Sequence, residues 1–238
     1  KKISEWEGLF SEENFDPDLS DSCVNAYQFI ESLSDFVPEG ETIFADTGGN
    51  LTWTCNAFRF KKDQRLHSAW NNTPMGYSLP AAIGAVAEDP DKTVTCLIGD
   101  GGLMICLPEL ATVVRRNMNI RIFLFNNHGH GIQKQTLETW LDGNYVGVHE
   151  PSGLAFTDFA AVSRSMGMNT FTLSNPSTLE TELAHIFAQK GPVFVNVEIN
   201  PEQRLFQVLK FGAPLEDQLP SLGQKFLEEQ MVIKPFSV

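Results

Sequence analysis

Short, nearly unbroken apolar runs recur along the chain at residues 42–45, 94–98, 120–125 and 193–199. Runs of this length without polar alternation read as strands buried on both faces. Residues 66–69 and 170–173 read as two more strands. Between them lie segments of helical period. Residues 21–37 carry Val24, Tyr27, Leu33 and Phe36 on one face and stop at Pro38-Glu39-Gly40. Residues 78–87 are rich in small side chains and end at Asp89-Pro90-Asp91. Residues 107–114 place Pro108 where a first turn tolerates it. Residues 158–166 and 178–189 are further helices, whereas 128–153 reads as a polar, glycine-containing loop with room for one helix. Strands alternating with helices predict an α/β, doubly wound, mostly parallel sheet with helices on both faces. Residues 1–20 read as an acidic linker anchored by Trp6, Phe10 and Phe15, residues 21–205 as the main domain, and 206–238 as a C-terminal tail.

At 238 residues the chain is long enough for one sizeable α/β core. Its net charge of −13 argues against nonspecific nucleic-acid binding, so an anionic ligand must be held by local devices. No apolar run reaches membrane-spanning length. The start, Lys-Lys-Ile-Ser, has neither Met nor a signal peptide and reads as a fragment, a trimmed chain or a processed one. Cys23, Cys55, Cys96 and Cys106 form no Cys-x-x-Cys pair and no zinc spacing. They read as buried free thiols of a reducing, cytoplasmic compartment.

Candidate chemistry gathers at two strand ends. Gly99-Asp100-Gly101 closes one apolar run and Asn126-Asn127 closes the next. Parallel strands joined by a helix deliver their carboxyl ends to one edge of a sheet. One carboxylate and one amide oxygen therefore converge there, and the backbone carbonyl of Gly129 is within reach as a third oxygen. Hard oxygen ligands suit magnesium, and Gly101 and Gly102 leave a path for a diphosphate at a helix N-terminus. For each motif alone the alternative is a plain turn and a plain strand end. His128 and His130 flank this place as candidate proton shuttles, with His130 also placed to touch substrate; solvated loop histidines are the alternative. Gln133, Lys134 and Gln135 read as a solvated loop run at the mouth of the site.

The 24 residues from Gly102 to Phe125 between Gly-Asp-Gly and Asn-Asn resemble the signature of thiamine diphosphate-dependent enzymes. The resemblance implies Asp100, Asn127 and the carbonyl of Gly129 as ligands of Mg2+, with Gly99, Asp100, Gly101 and Gly102 against the diphosphate. The run Pro74-Met75-Gly76-Tyr77-Ser78-Leu79-Pro80-Ala81-Ala82-Ile83-Gly84-Ala85 resembles the acetolactate synthase branch. It implies Met75 as the apolar wedge under the bent cofactor and the carbonyl near Thr73 as an acceptor for its aminopyrimidine. Asp46-Thr47-Gly48-Gly49-Asn50 resembles the Asp-x-Gly segment and implies Gly49 and Asn50 as diphosphate contacts.

The resemblance covers roughly residues 20–205 and only the C-terminal, diphosphate-binding domain of the family. It implies a pyrimidine-binding domain, on the same or a partner chain, that supplies a glutamate to the aminopyrimidine, and a full-length homodimer or homotetramer. FAD on a separate central domain, found in some relatives, stays open. The implied reaction decarboxylates a 2-oxo acid such as pyruvate and transfers the acyl unit to a carbonyl acceptor. This chain alone is expected to be inactive and to expose apolar surface toward the partner domain. A decarboxylase releasing an aldehyde and a non-catalytic scaffold are the alternatives. Thr136 occupies the position where biosynthetic acetolactate synthases carry tryptophan, which calls the usual substrate filter into question; the run Gln135 to Trp140 resembles acetolactate synthase-like proteins of varied substrate, some of them associated with sugar or surface-polysaccharide pathways.

Overall fold

The computed structural model describes residues 23–206, 208–209, 212–219 and 221–236. The expected linker, with Trp6, Phe10 and Phe15, lies outside them. The contacts divide the chain into two compact units at Arg204–Leu205.

The larger unit is a six-stranded, wholly parallel sheet. Its elements run α1 Ala26–Phe36, β1 Thr42–Ala45, α2 Gly49–Ala57, β2 Arg65–His67, α3 Ser78–Glu88, β3 Val94–Gly99, α4 Asp100–Cys106 and α5 Glu109–Arg115. They continue as β4 Ile120–Asn126, α6 Gly131–Trp140, α7 Phe159–Ser165, β5 Asn169–Leu173, α8 Leu179–Phe187 and β6 Val193–Glu198. The strand order is β2-β1-β3-β4-β6-β5. The chain winds outward in one direction from β1 and in the other from β3, so the switch point falls between those two strands. Ligands of open α/β sheets collect at such a crevice.

Alternation along β4 divides the core. Ile120, Ile122 and Leu124 join Leu79, Val86, Leu110, Val113 and Phe159 on one face. Phe123 and Phe125 point the other way and pack on Phe29 of α1, Trp53 of α2 and Phe187 of α8. Burial on both faces explains why these strands read as continuous apolar runs.

Several local expectations need correction. The first helix starts at Ala26, not at residue 21, because the Asn25 side chain accepts from the Tyr27 and Gln28 N–H groups and caps it. Val24 instead bridges to Ile199. The second strand is Arg65–His67, shifted from 66–69. The expected helix over 107–114 is α5, Glu109–Arg115, and a separate helix, α4, precedes it from Asp100 to Cys106, the two divided at Leu107-Pro108. The region 128–153 contains a ten-residue helix, α6, and a 3-10 turn at Glu150–Ser152. Of the four free cysteines, Cys96 and Cys106 are buried but Cys55 is exposed. No described helix is long and apolar enough to cross a membrane. In the smaller unit, β7 Val208–Leu209 pairs antiparallel with β8 Gln218–Leu219, and α9 spans Gln224–Gln230.

Candidate functional site

The tips of β1, β3 and β4 meet at the carboxyl edge of the sheet. Asp46 follows β1 and is fully buried. Its carboxylate accepts the Thr47 N–H at 2.7 Å and the Gly76 N–H at 2.9 Å. The Tyr77 and Ser78 N–H groups also turn toward it, while burial raises its pKa. One strand tip thereby holds down the loop that presents Met75. Gly76 sits at φ +80°, a left-handed conformation that glycine adopts without strain.

Asp100 closes β3 and is 2% exposed. Its oxygens accept the Gly101 N–H at 2.6 Å and the Gly129 N–H at 3.0 Å. Burial pushes its pKa up to about 7. Asn127, beyond β4, turns one end of its amide to within 2.8 Å of the Gly129 carbonyl oxygen and 3.2 Å of Asp100 Oδ2. With the amide nitrogen at that end, the NH2 donates to both oxygens. With the amide oxygen there, three acceptors face one another and no proton lies between them. Neighbouring oxygens of a magnesium octahedron with bonds of about 2.0–2.1 Å lie about 2.9 Å apart. The spacing of this carboxylate–amide–carbonyl set therefore fits a hard divalent cation. Among the described residues no cluster of three His, Cys, Asp or Glu offers another metal site.

The surrounding glycines are there for space. A Cβ on Gly101 would lie 2.5 Å from His130 Cε1 and 2.7 Å from Met75 Cε. One on Gly102 would lie 2.7 Å from Asp46 Oδ2, and one on Gly131 would lie 2.7 Å from Asn127 Nδ2. Met75, 39% exposed, thus stands beside His130 over the start of α4. Burial lowers the His130 pKa, which favours the neutral ring, and that ring packs edge-on against Phe156.

The structure gathers Gly49, Asn50, Met75, Gly99, Asp100, Gly101, Gly102, Asn127, Gly129 and His130 at this edge. Asn50 lies with its Nδ2 3.7 Å from where a Gly99 Cβ would sit. That nitrogen donates to Thr47 O at 2.9 Å, leaving Oδ1 buried without a partner. The NH2 keeps a second N–H beyond the one given to Thr47, and that is the donor a diphosphate would take. Thr73 is on the exposed loop two residues before Met75, at φ +39°. His128 is engaged elsewhere, with Nε2 2.9 Å from Glu198 Oε2.

The reading of Gln133, Lys134 and Gln135 as a solvated loop is overturned. They lie on α6, and Lys134 is buried, with Nζ 3.0 Å from Glu202 Oε1 and 3.2 Å from Pro201 O. Arg204 grips Glu138 of the same helix at 2.6 and 2.7 Å, and Tyr145 also bonds that carboxylate. These contacts fix the helix that follows Gly129. Sequence reasoning missed this clamp, and it missed Asp46 as the anchor of the Met75 loop. The signal for Asp46 was an acid at the end of a short buried strand, with only Thr47 between it and Gly48-Gly49.

A doubly wound domain whose switch point can hold a divalent cation beside a glycine-lined gap is a cofactor-binding domain for a diphosphate. The family model of the thiamine pyrophosphate enzyme C-terminal TPP binding domain matches residues 46–197, and the chain belongs to that family. It is 27% identical to the acetolactate synthase isozyme 1 large subunit of Escherichia coli (strain K12) over 214 residues, 88% of this chain and 38% of that protein. It is 23% identical to the acetolactate synthase large subunit of Haemophilus influenzae over 227 residues, 94% of this chain and 38% of that protein. The mitochondrial acetolactate synthase catalytic subunit of Aspergillus candidus is 23% identical over 219 residues, 91% of this chain and 31% of that protein. The chain thus spans less than two-fifths of the length of these relatives.

Proposed function

We propose that this chain is the diphosphate-binding part of a thiamine diphosphate- and magnesium-dependent enzyme. That enzyme decarboxylates a 2-oxo acid such as pyruvate and transfers the acyl unit to a carbonyl acceptor. The observation that carries the reading is the meeting of Asp100 Oδ2, the Asn127 amide end and the Gly129 carbonyl oxygen, whose spacing suits a hard cation once the amide turns its oxygen inward.

When bound, thiamine diphosphate supplies the electron sink for cleavage next to the 2-oxo group. The chain's own residues hold and shape. Asp100, Asn127 and the Gly129 carbonyl would grip the metal. Gly49, Asn50, Gly99, Gly101 and Gly102 would line the diphosphate. Met75 would brace the cofactor from below, and the Thr73 carbonyl would accept a hydrogen bond from its aminopyrimidine. Asp46 keeps the loop bearing both in place through Gly76. His130, half-buried and apolar in its surroundings, would border the substrate side and exclude water there.

The pyrimidine-binding domain, on the same or a partner chain, would cover the apolar surface of Met75, Met104 and Ile105 beside the site. A homodimer or homotetramer in the cytoplasm is the setting this reading favours. The test is calorimetric titration of the full-length protein with thiamine diphosphate, with and without Mg2+. Binding should require the metal and fall by about 100-fold or more in Asp100→Ala. Metal-independent binding, or an Asp100→Ala variant that binds as tightly as the parent, refutes the reading. Turnover of pyruvate with and without a second carbonyl compound then separates acyl transfer from simple aldehyde release.

A further inference from the structure

A second cleft lies away from the strand tips, on the outer face of β1 and β2. It encloses about 420 Å³ and is lined by Gly40, Thr42, Phe44, Asp63, Arg65, His67, Ala85 and Lys92. The register explains the grouping. Thr42 pairs with Arg65 and Phe44 with His67, so all four side chains stand on one face of two neighbouring strands. Helix α3 packs over β1 and β3, and its Ala85 forms the inner wall of the cleft. Lys92, just before β3, closes the lower end.

The chemistry of this cleft is unlike the rest of the molecule. In a chain of net charge −13, its lining brings together Arg65, Lys92 and His67 against one acid, Asp63. Neither Arg65 nor Lys92 has an ion pair or side-chain hydrogen bond among the described residues, although both are exposed. Arg121, by contrast, is paired with the buried Glu41 at 3.2 Å. Beside these unpaired cations is an aromatic surface. The His67 ring stacks on Phe44 with centroids 5.5 Å apart and planes inclined by 26°. Phe44 is buried and fixed, whereas His67 is exposed, so a second planar group can extend the stack on the open side. The volume is within the range of small-ligand sites.

We propose that this cleft is a second ligand site, distinct from the cofactor site, for a small nucleotide: a planar ring stacked at His67–Phe44 with its phosphate between Arg65 and Lys92. Arg65 offers a fork of N–H donors to phosphate oxygens, and Lys92 a mobile point charge. The Thr42 hydroxyl is within the same lining as a further polar contact. This inference is independent of the thiamine diphosphate reading.

The test is titration of the full-length protein, already saturated with thiamine diphosphate and Mg2+, with AMP, adenosine and inorganic phosphate as separate probes. AMP should bind saturably and more tightly than either fragment. The double variant Arg65→Gln and Lys92→Gln should weaken AMP by about tenfold for each cation removed. Thiamine diphosphate affinity and basal turnover should be unchanged in that variant. No saturable AMP binding at millimolar concentration overturns the proposal. So does AMP binding that the double variant leaves intact, or binding of adenosine or phosphate alone as tight as that of AMP.

Discussion

Replacing Gly102 with alanine tests whether Asp46 is the rigid post that holds the Met75 loop. The new Cβ would lie 2.7 Å from Asp46 Oδ2 and 3.2 Å from both Asp46 Cγ and Ile98 Cγ1. Ordinary contact begins at 3.4 Å, so the carboxylate must retreat by about 0.7 Å (3.4 minus 2.7). Asp46 is fully buried and already engaged by Thr47 and Gly76. A retreat of that size away from Gly76 would stretch a 2.9 Å bond to about 3.6 Å, beyond hydrogen-bonding range. Overpacking costs about 1–3 kcal/mol, and a lost bond to a charged group about 1.5–3 kcal/mol. Alanine's better helix propensity returns about 1 kcal/mol. The balance is a loss of about 3 kcal/mol. For a domain of this size that lowers the melting temperature by about 6–12 °C. Gly84→Ala is the matched control, because Gly84 is inside α3 with no neighbouring atom within 4 Å of its Cβ position. It should gain about 1 kcal/mol and melt about 2–4 °C higher. Thermal unfolding of the two variants beside the parent is the assay. A Gly102→Ala protein that melts with or above the parent refutes the role given to Asp46.

Three further outcomes follow from the same geometry. Asp46→Asn puts an NH2 among the N–H groups of Thr47, Gly76, Tyr77 and Ser78, so thiamine diphosphate affinity measured by titration should fall by about tenfold or more. Gly131→Ala places a Cβ 2.7 Å from Asn127 Nδ2, and the Mg2+ concentration needed for half-activation should rise several-fold with the fold intact by circular dichroism. Arg204 holds Glu138 well below the usual carboxylate range, at about 2 against a reference of 4.5. The pair therefore stabilises the fold above about pH 4.5, and that contribution is lost as pH falls through about 2. Arg204→Ala should cost about 1 kcal/mol in denaturant melts at pH 6, discounted for partial exposure, and close to nothing at pH 2.

The sheet was legible because strands buried on both faces leave an unmistakable apolar run; residues 42–45 coincide with β1, and 120–125 fall one residue short of β4. Helix α4 was not. Gly101 and Gly102 each carry a helix penalty near 1 kcal/mol, so propensity argues against a helix there. Tertiary crowding by His130, Met75 and Asp46 decides the matter, and that crowding has no trace in local sequence. Helix α6 was hidden in the same way. Its inner side is fixed by Lys134 and Glu138 through partners more than sixty residues later, at Pro201, Glu202 and Arg204. A buried lysine looks like a solvated one until its acceptors are known. Chemistry written as adjacent motifs was read, and positioning by distant charges was not.

The two buried acids at the switch point also show what motifs leave open. Both Asp46 and Asp100 end a β-strand and precede glycines, so sequence alone makes each a candidate metal ligand. Hydrogen bonding separates them. The Asp46 carboxylate faces backbone N–H groups of its own tip and of the Met75 loop, those of Thr47, Gly76, Tyr77 and Ser78. Asp100 faces the backbone N–H groups of Gly101, Asn127 and Gly129, and its Oδ2 also faces the Asn127 side-chain amide end beside the Gly129 carbonyl oxygen. Adjacent carboxylates of the same sequence type therefore divide between holding a loop and facing a cation. The difference is set by what stands beside those N–H groups, since only Asp100 has a side-chain amide end and a carbonyl oxygen facing the same point.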